Sequence, residues 1–210
     1  MNACCCDTIG APLVVRPCRV HHIYHFGDRE LTSVTQCIKS TWPIPPDYSK
    51  ADPAVLENAR ERGVEVDALL TSWLAGELPE IPAGVREDTR DLFVKLTDWW
   101  TIEDNPRSQV ILANDELAGT ADIITDNAVY DLKTTYNLEP TYSLQVGGYV
   151  CLYEAEHGRL PERCGIIHLT KRQKPKLIEF EPLVVAGEFR VVYDMYKLVN
   201  RIAGKRRSDA

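Results

Sequence analysis

The stretch that decides the fold reads Leu117-Ala118-Gly119-Thr120-Ala121-Asp122-Ile123-Ile124-Thr125-Asp126-Asn127-Ala128-Val129-Tyr130-Asp131-Leu132-Lys133-Thr134-Thr135, and Gln145-Val146-Gly147-Gly148-Tyr149 follows it. Two strand-like runs, Leu117–Ile124 and Ala128–Thr135, flank Asp126-Asn127, a pair that favours a tight hairpin turn. A symmetric turn, with two or four loop residues, sets Asp122 directly opposite Asp131. Side chains alternate along a strand, so Asp131 and Lys133 share a face with Asp122, and Tyr130 and Leu132 point to the other. Carboxylates that face each other across a ladder repel. A hard divalent cation between them turns that repulsion into binding. Lys133 adds a charge that can hold a water or a phosphate oxygen. The set points to metal-assisted phosphodiester chemistry, against the plainer reading of a hairpin whose surface carboxylates are neutralised by Lys133.

Gly119-Thr120-Ala121-Asp122, then Asp131-Leu132-Lys133-Thr134, then Gln145-x-x-x-Tyr149 together resemble the core of the PD-(D/E)xK nuclease superfamily in its RecB-like exonuclease branch. The pattern is similar to that of phage exonucleases and of the mitochondrial genome maintenance exonuclease. The name-giving proline is absent, since Ala121 precedes Asp122. The resemblance implies a restriction-endonuclease-like α/β core, a mixed central β-sheet flanked by helices, with a helical N-terminal region. It implies Mg2+ or Mn2+ held by Asp122, Asp131 and the carbonyl of Leu132. Lys133 would then ease hydroxide formation or hold the scissile phosphate, and Gln145 would contact the site with Tyr149 behind it. Arg62-Gly63-x-x-x-Asp67 resembles the family's R-G-x-x-x-His element, with Asp67 in the ligand position and Glu65 as the alternative third acid. The activity implied is a DNA exonuclease acting on single strands or free ends, in recombination, repair or phage DNA metabolism. A structure-selective endonuclease on the same core is one alternative. A catalytically weak DNA-binding accessory protein is another, and intact Asp122, Asp131 and Lys133 speak against it.

With 210 residues, 44% hydrophobic and 26% charged, the chain has the length and composition of one soluble globular domain. No apolar run approaches the ~20 residues that cross a bilayer, and the start lacks an export-signal pattern. The expectation is a cytoplasmic protein of a bacterium or a phage-infected host, with no membrane partner. A formal charge of −7 argues against coating nucleic acid by bulk electrostatics, so DNA contacts must be local. Lys171, Arg172, Lys174 and Lys176 are the candidates, and Lys205-Arg206-Arg207 forms a second basic group; both also read as solvated turns or tails. The resemblance leaves room for a recombinase or single-strand-binding partner. The seven cysteines include Cys4, Cys5, Cys6 and Cys18, which lack the C-x-x-C spacing of zinc sites. No compact cysteine group follows Tyr149, so no iron–sulfur cluster is expected. His21, His22 and His25 would not all gather on one face of a strand.

Periodicity and punctuation place the remaining elements. Ile23–Phe26 reads as a strand with Gly27-Asp28 as its turn, and Thr32 or Ser33 caps a helix through Ser40. Asp52-Pro53 opens a helix closed by Gly76, and a second covers roughly Gly84–Trp100, its Trp99-Trp100 pair reading as core. Gln109–Ala113 is a strand, Thr141–His157 a helix, Cys164–Thr170 and Lys176–Phe180 strands, and Val184–Ile202 an amphipathic helix. Gly147-Gly148 inside a helix implies close approach by another element. Together with the resemblance, these elements imply one nuclease domain over 1–210, with a helical segment at 53–100, a catalytic core at 108–181 and a C-terminal helix at 183–203.

Overall fold

The computed structural model describes residues 15–18, 23–42, 52–78, 80–102 and 105–208. Strands β1 (Val15–Cys18), β2 (Ile23–Phe26) and β3 (Arg29–Ser33) form an antiparallel meander whose second turn carries Gly27 at φ 61°. Ser33 ends β3 and caps α1 (Val34–Thr41): its Oγ accepts from the Gln36 backbone N–H at 3.0 Å, and Gln36 Oε1 accepts from the Ser33 N–H. Helix α2 (Pro53–Leu74) starts on the Asp52 cap, with Pro53 in its first turn, and Gly76 at φ 72° follows its end. Helix α3 (Glu87–Trp99) begins later than Gly84 because a turn closed from Val85 N–H to Pro82 O takes up the first residues. Glu87 and Asp88 then sit where the helix dipole favours acids.

Strands β4 (Arg107–Ala113), β5 (Leu117–Ile124) and β6 (Ala128–Lys133) lead to α4 (Thr141–His157), which Gly158 ends at φ 69°. Strands β7 (Arg163–His168) and β8 (Lys176–Phe180) and the long helix α5 (Pro182–Ser208) complete the chain. Among the described residues the sheet has eight strands in the order β1-β2-β3-β5-β6-β7-β8, with β4 also on β5. It is mixed: β3–β5 and β6–β7 are parallel, the other pairs antiparallel.

A strand has two edges, and β4 occupies one edge of β5 along most of its length. The other edge is divided. β3 meets it at Leu117 and Ala118, β6 at Ile123 and Ile124, and the stretch between them, Gly119–Asp122, faces a fork. Helices cover both faces of the sheet. On one face Val34, Leu152, Tyr153 and Phe189 pack on Leu117, Ile124 and Val129; on the other Val66, Leu70, Leu92 and Leu96 pack on Ile123, Tyr130 and Ile167. Trp99 and Trp100 lie against this second layer, and Trp100 meets Trp73 edge-on with ring centroids 5.1 Å apart.

The two glycines of α4 admit its neighbours. A Cβ on Gly147 would stand 2.1 Å from the Val185 carbonyl oxygen of α5, and one on Gly148 2.4 Å from Val34 Cγ1 of α1. Among the described residues no helix is long and apolar enough to cross a membrane. Cys4, Cys5, Cys6, His21, His22 and the side chain of Cys18 lie outside the described residues.

Candidate active site

The β5–β6 turn is symmetric. Thr125 N–H donates to Ala128 O at 2.9 Å around Asp126-Asn127, and the register is Ile124↔Val129 and Ile123↔Tyr130. One step further sets Asp122 opposite Asp131, and there the regular pairing stops. Leu132 N–H donates instead to Asp122 Oδ2 at 2.7 Å, so a side chain replaces the ladder partner where the strands part. Asp122 Oδ1 accepts from Gln109 Nε2 at 3.1 Å. Asp131 is only 1% exposed. Lys133 Nζ stands 2.5 Å from Asp131 Oδ2, an ion pair that compensates the charge of this buried oxygen. The same ammonium lies 4.9 Å from the centroid of the Tyr142 ring.

These groups shift one another's protonation. Burial, reinforced by Asp122 and opposed by Lys133, pushes Asp131 up to about 7. Burial, then the charges of Asp122 and Asp131, push Asp67 up to about 8. Burial disfavours the Lys133 ammonium, but Asp131 and Asp122 outweigh it and its pKa is raised. Tyr149 is pushed well above the usual phenol range by burial and by the same two carboxylates, so it keeps its proton. Asp67 from α2, Asp122 from β5, Asp131 and Lys133 from β6 and Tyr149 from α4 therefore share one electrostatic neighbourhood.

Glu65, the alternative acid on α2, is engaged elsewhere. It accepts from Thr89 Oγ1 at 2.5 Å and lies 3.7 Å from Arg86, both on the α3 side. Gly63 brings α2 close to the end of β6, where a Cβ would stand 3.5 Å from Thr134 Oγ1. Among the described residues no three His, Cys, Asp or Glu side chains are gathered tightly enough to ligate one ion. Both oxygens of Asp122 are held by Gln109 and Leu132, and Asp131 turns an oxygen to Lys133. The donor chemistry nonetheless fits a hard divalent cation: Asp131 is a buried carboxylate beside Asp122, and Asp67 and Asp131 bear raised pKa values that a cation would relieve. Strand geometry also sends the Leu132 carbonyl to the same edge as its N–H.

Gln145 Nε2 donates to the Tyr149 hydroxyl at 2.7 Å across one helical turn. One edge of the Tyr149 ring packs on Gly119, where a Cβ would come within 2.7 Å of Cε1 and 3.1 Å of Cδ1. Gly119→Ala should therefore destabilise the fold by ~1–3 kcal/mol, the usual cost of overpacking, and displace the tyrosine. A urea melt checks this, and an unchanged midpoint would contradict the tight fit.

The basic segment divides. Lys171 Nζ pairs with Asp88 Oδ2 at 2.9 Å, and Lys95 Nζ donates to the Lys171 carbonyl, so Lys171 is tied to α3 and its charge is matched. Arg172, Lys174 and Lys176 are exposed and make no ion pair among the described residues. The side chains of Lys205, Arg206 and Arg207 lie outside the described residues.

Gln109 escaped sequence reasoning. It stands across from Asp122, between the paired Ser108↔Ile123 and Val110↔Ala121, with φ at 53°. Left-handed backbone at a residue with a Cβ costs on the order of 1–2 kcal/mol. The compensating contact is its hydrogen bond to Asp122. A glutamine at the start of a strand carries no sequence signal for this.

No protein-family model matches the chain, and no curated protein matches it. Its fold is similar to the crystal structure of a candidate exonuclease from Eubacterium rectale, with a TM-score of 0.54 and 14% identity over 83% of this chain and 82% of that one. A second solved structure, SSO0001, aligns with a TM-score of 0.42 and 12% identity over 83% of this chain and 78% of its own, too slight a likeness to argue from. The first supports the fold: a mixed central sheet flanked by helices, of the restriction-endonuclease-like kind.

Proposed function

We propose that the protein is a metal-dependent deoxyribonuclease of the RecB-like branch of the PD-(D/E)xK superfamily, an exonuclease that hydrolyses phosphodiester bonds in single-stranded DNA or at DNA ends. The observation that carries this is the buried Asp131 opposite Asp122, with Lys133 on the same face and Asp67 within electrostatic reach. Asp67, Asp122, Asp131 and the Leu132 carbonyl would hold Mg2+ or Mn2+. When bound, the ion supplies Lewis-acid stabilisation of the charge that develops at phosphorus. Lys133 would offer its ammonium to a phosphate oxygen or to the attacking water. Gln109 and the Leu132 N–H fix the Asp122 carboxylate, limiting its freedom to rotate. Tyr149, protonated and bonded to Gln145, backs the site without adding another negative charge.

End-labelled linear and circular DNA, single- and double-stranded, incubated with Mg2+, Mn2+ or EDTA, tests this directly. Metal-dependent loss of linear single strands with circles spared is the expected outcome. Cut circles would replace the exonuclease with an endonuclease, and intact DNA under every metal would refute the enzyme.

A further inference from the structure

We propose that Tyr136 and Arg172 form a stacking platform for an unpaired base of single-stranded DNA, placed beside the carboxylate–lysine site. The choice of nucleic acid rests on the nuclease reading above; the platform itself rests on geometry. Tyr136 is 67% exposed, and among the described residues it is the one aromatic among the exposed large apolar side chains. The Arg172 guanidinium carbon lies 6.0 Å from the ring centroid, so a cation borders the exposed ring.

The platform is held in place from below. His168 Nε2 donates to the Thr135 carbonyl at 2.8 Å, Thr135 Oγ1 donates to Asn137 O at 2.9 Å, and Leu169 N–H donates to Lys133 O at 2.9 Å. The loops after the parallel strands β6 and β7 therefore form one braced unit at the carboxyl ends of those strands, where open α/β sheets bind their ligands. Tyr136 follows Lys133 by three residues, which keeps their Cα atoms within ~11 Å.

Charge narrows the class of ligand. A chain of net charge −7 has little bulk attraction for phosphates, so its grip must come from local contacts. Lys171 is spent on Asp88, whereas Arg172 and Lys174 have no ion pair among the described residues. An aromatic face with adjacent unpaired cations suits a base whose ring is free, and single strands offer that where a duplex hides it.

Full-length protein in EDTA, titrated into fluorescein-labelled oligo-dT, reads binding apart from cleavage. Tyr136→Ala should weaken the oligo-dT complex by about 5- to 150-fold, the range set by ~1–3 kcal/mol per stacked base. Tyr136→Phe should bind like wild type, and duplex DNA should be indifferent to either change. A 2-aminopurine base in the oligonucleotide should be quenched by wild type and not by Tyr136→Ala. The ring is exposed, so melting temperatures should coincide and folding is not at issue. Wild-type binding by Tyr136→Ala, equal losses on duplex and single strand, or an effect confined to oligo-U RNA would each overturn the proposal, as would a wild type that does not bind oligo-dT. Binding through Tyr136 without any cleavage under Mg2+ or Mn2+ would uphold the platform and sink the nuclease. Cleavage indifferent to Tyr136 would do the reverse.

Discussion

Lys133→Met is expected to lower the cleavage rate on single-stranded DNA by about 10²–10³-fold, the usual cost of losing one preorganised charge at the reacting centre. The ammonium is held beside Asp131 and above the Tyr142 ring, and the surrounding carboxylates keep it charged despite burial. Methionine preserves the length and apolar contact of the stem, so the Tyr142 packing survives. Asp131, already raised to about 7 by burial, then takes up a proton more readily and avoids an isolated buried charge. The loss should therefore fall on kcat, with oligo-dT binding in EDTA within a few-fold of wild type. Lys133→Arg should not restore the rate, because a rigid planar fork cannot occupy the space of a compact ammonium. Initial rates with Mg2+ and Mn2+, alongside a thermal melt, decide it. A variant within tenfold of wild type would remove Lys133 from the chemistry.

The parts of the site that sequence made legible are those set by neighbours along the chain. Asp126-Asn127 fixed the turn, the turn fixed the register, and the register placed Asp122 across from Asp131. Ser33 with Gln36, and Asp52 with Pro53, marked helix starts through the backbone donors they satisfy. Gly147-Gly148 signalled a close approach, although which elements would come close, Val185 of α5 and Val34 of α1, is a long-range fact. The fork on β5 was not legible, since it depends on β3 returning in parallel from far upstream to occupy half of an edge. Gln109 was invisible for the same reason: its left-handed backbone answers to Asp122 across the ladder, not to its own neighbours. That Glu65 is occupied by Thr89 and Arg86 was not legible along the chain either, because it depends on where α3 lies. Lys171 read as a free cation only while Asp88 was out of sight.

Asp67→Asn is expected to stabilise the metal-free protein in mildly alkaline buffer while cutting metal-dependent cleavage by ~10–100-fold or more. Asp67 has an ordinary pKa of 3.8 in an unfolded chain and is raised to about 8 in the fold, by burial and by Asp122 and Asp131. Between those values the folded state holds more protons than the unfolded one, so stability falls as the pH rises through that window. Asp131, also raised, adds to the same slope. Asparagine at 67 carries no charge and removes its share of the loss. Each pKa unit so relieved is worth ~1.4 kcal/mol, or ~3–5 °C in Tm for a chain of this size. In EDTA the variant should melt several degrees above wild type near the upper end of the window and level with it near the lower end, where wild-type Asp67 is already neutral. Mn2+ should reverse the order by stabilising the wild type more, since only there does the ion relieve the full carboxylate repulsion. A variant that melts below wild type in alkaline EDTA would show that Asp67 is paired rather than repelled. Equal Mn2+ stabilisation of both proteins would show that it is not a ligand. The same three carboxylates would then be a cost of folding with no ion to offset it, which is the arrangement least expected of a structural hairpin.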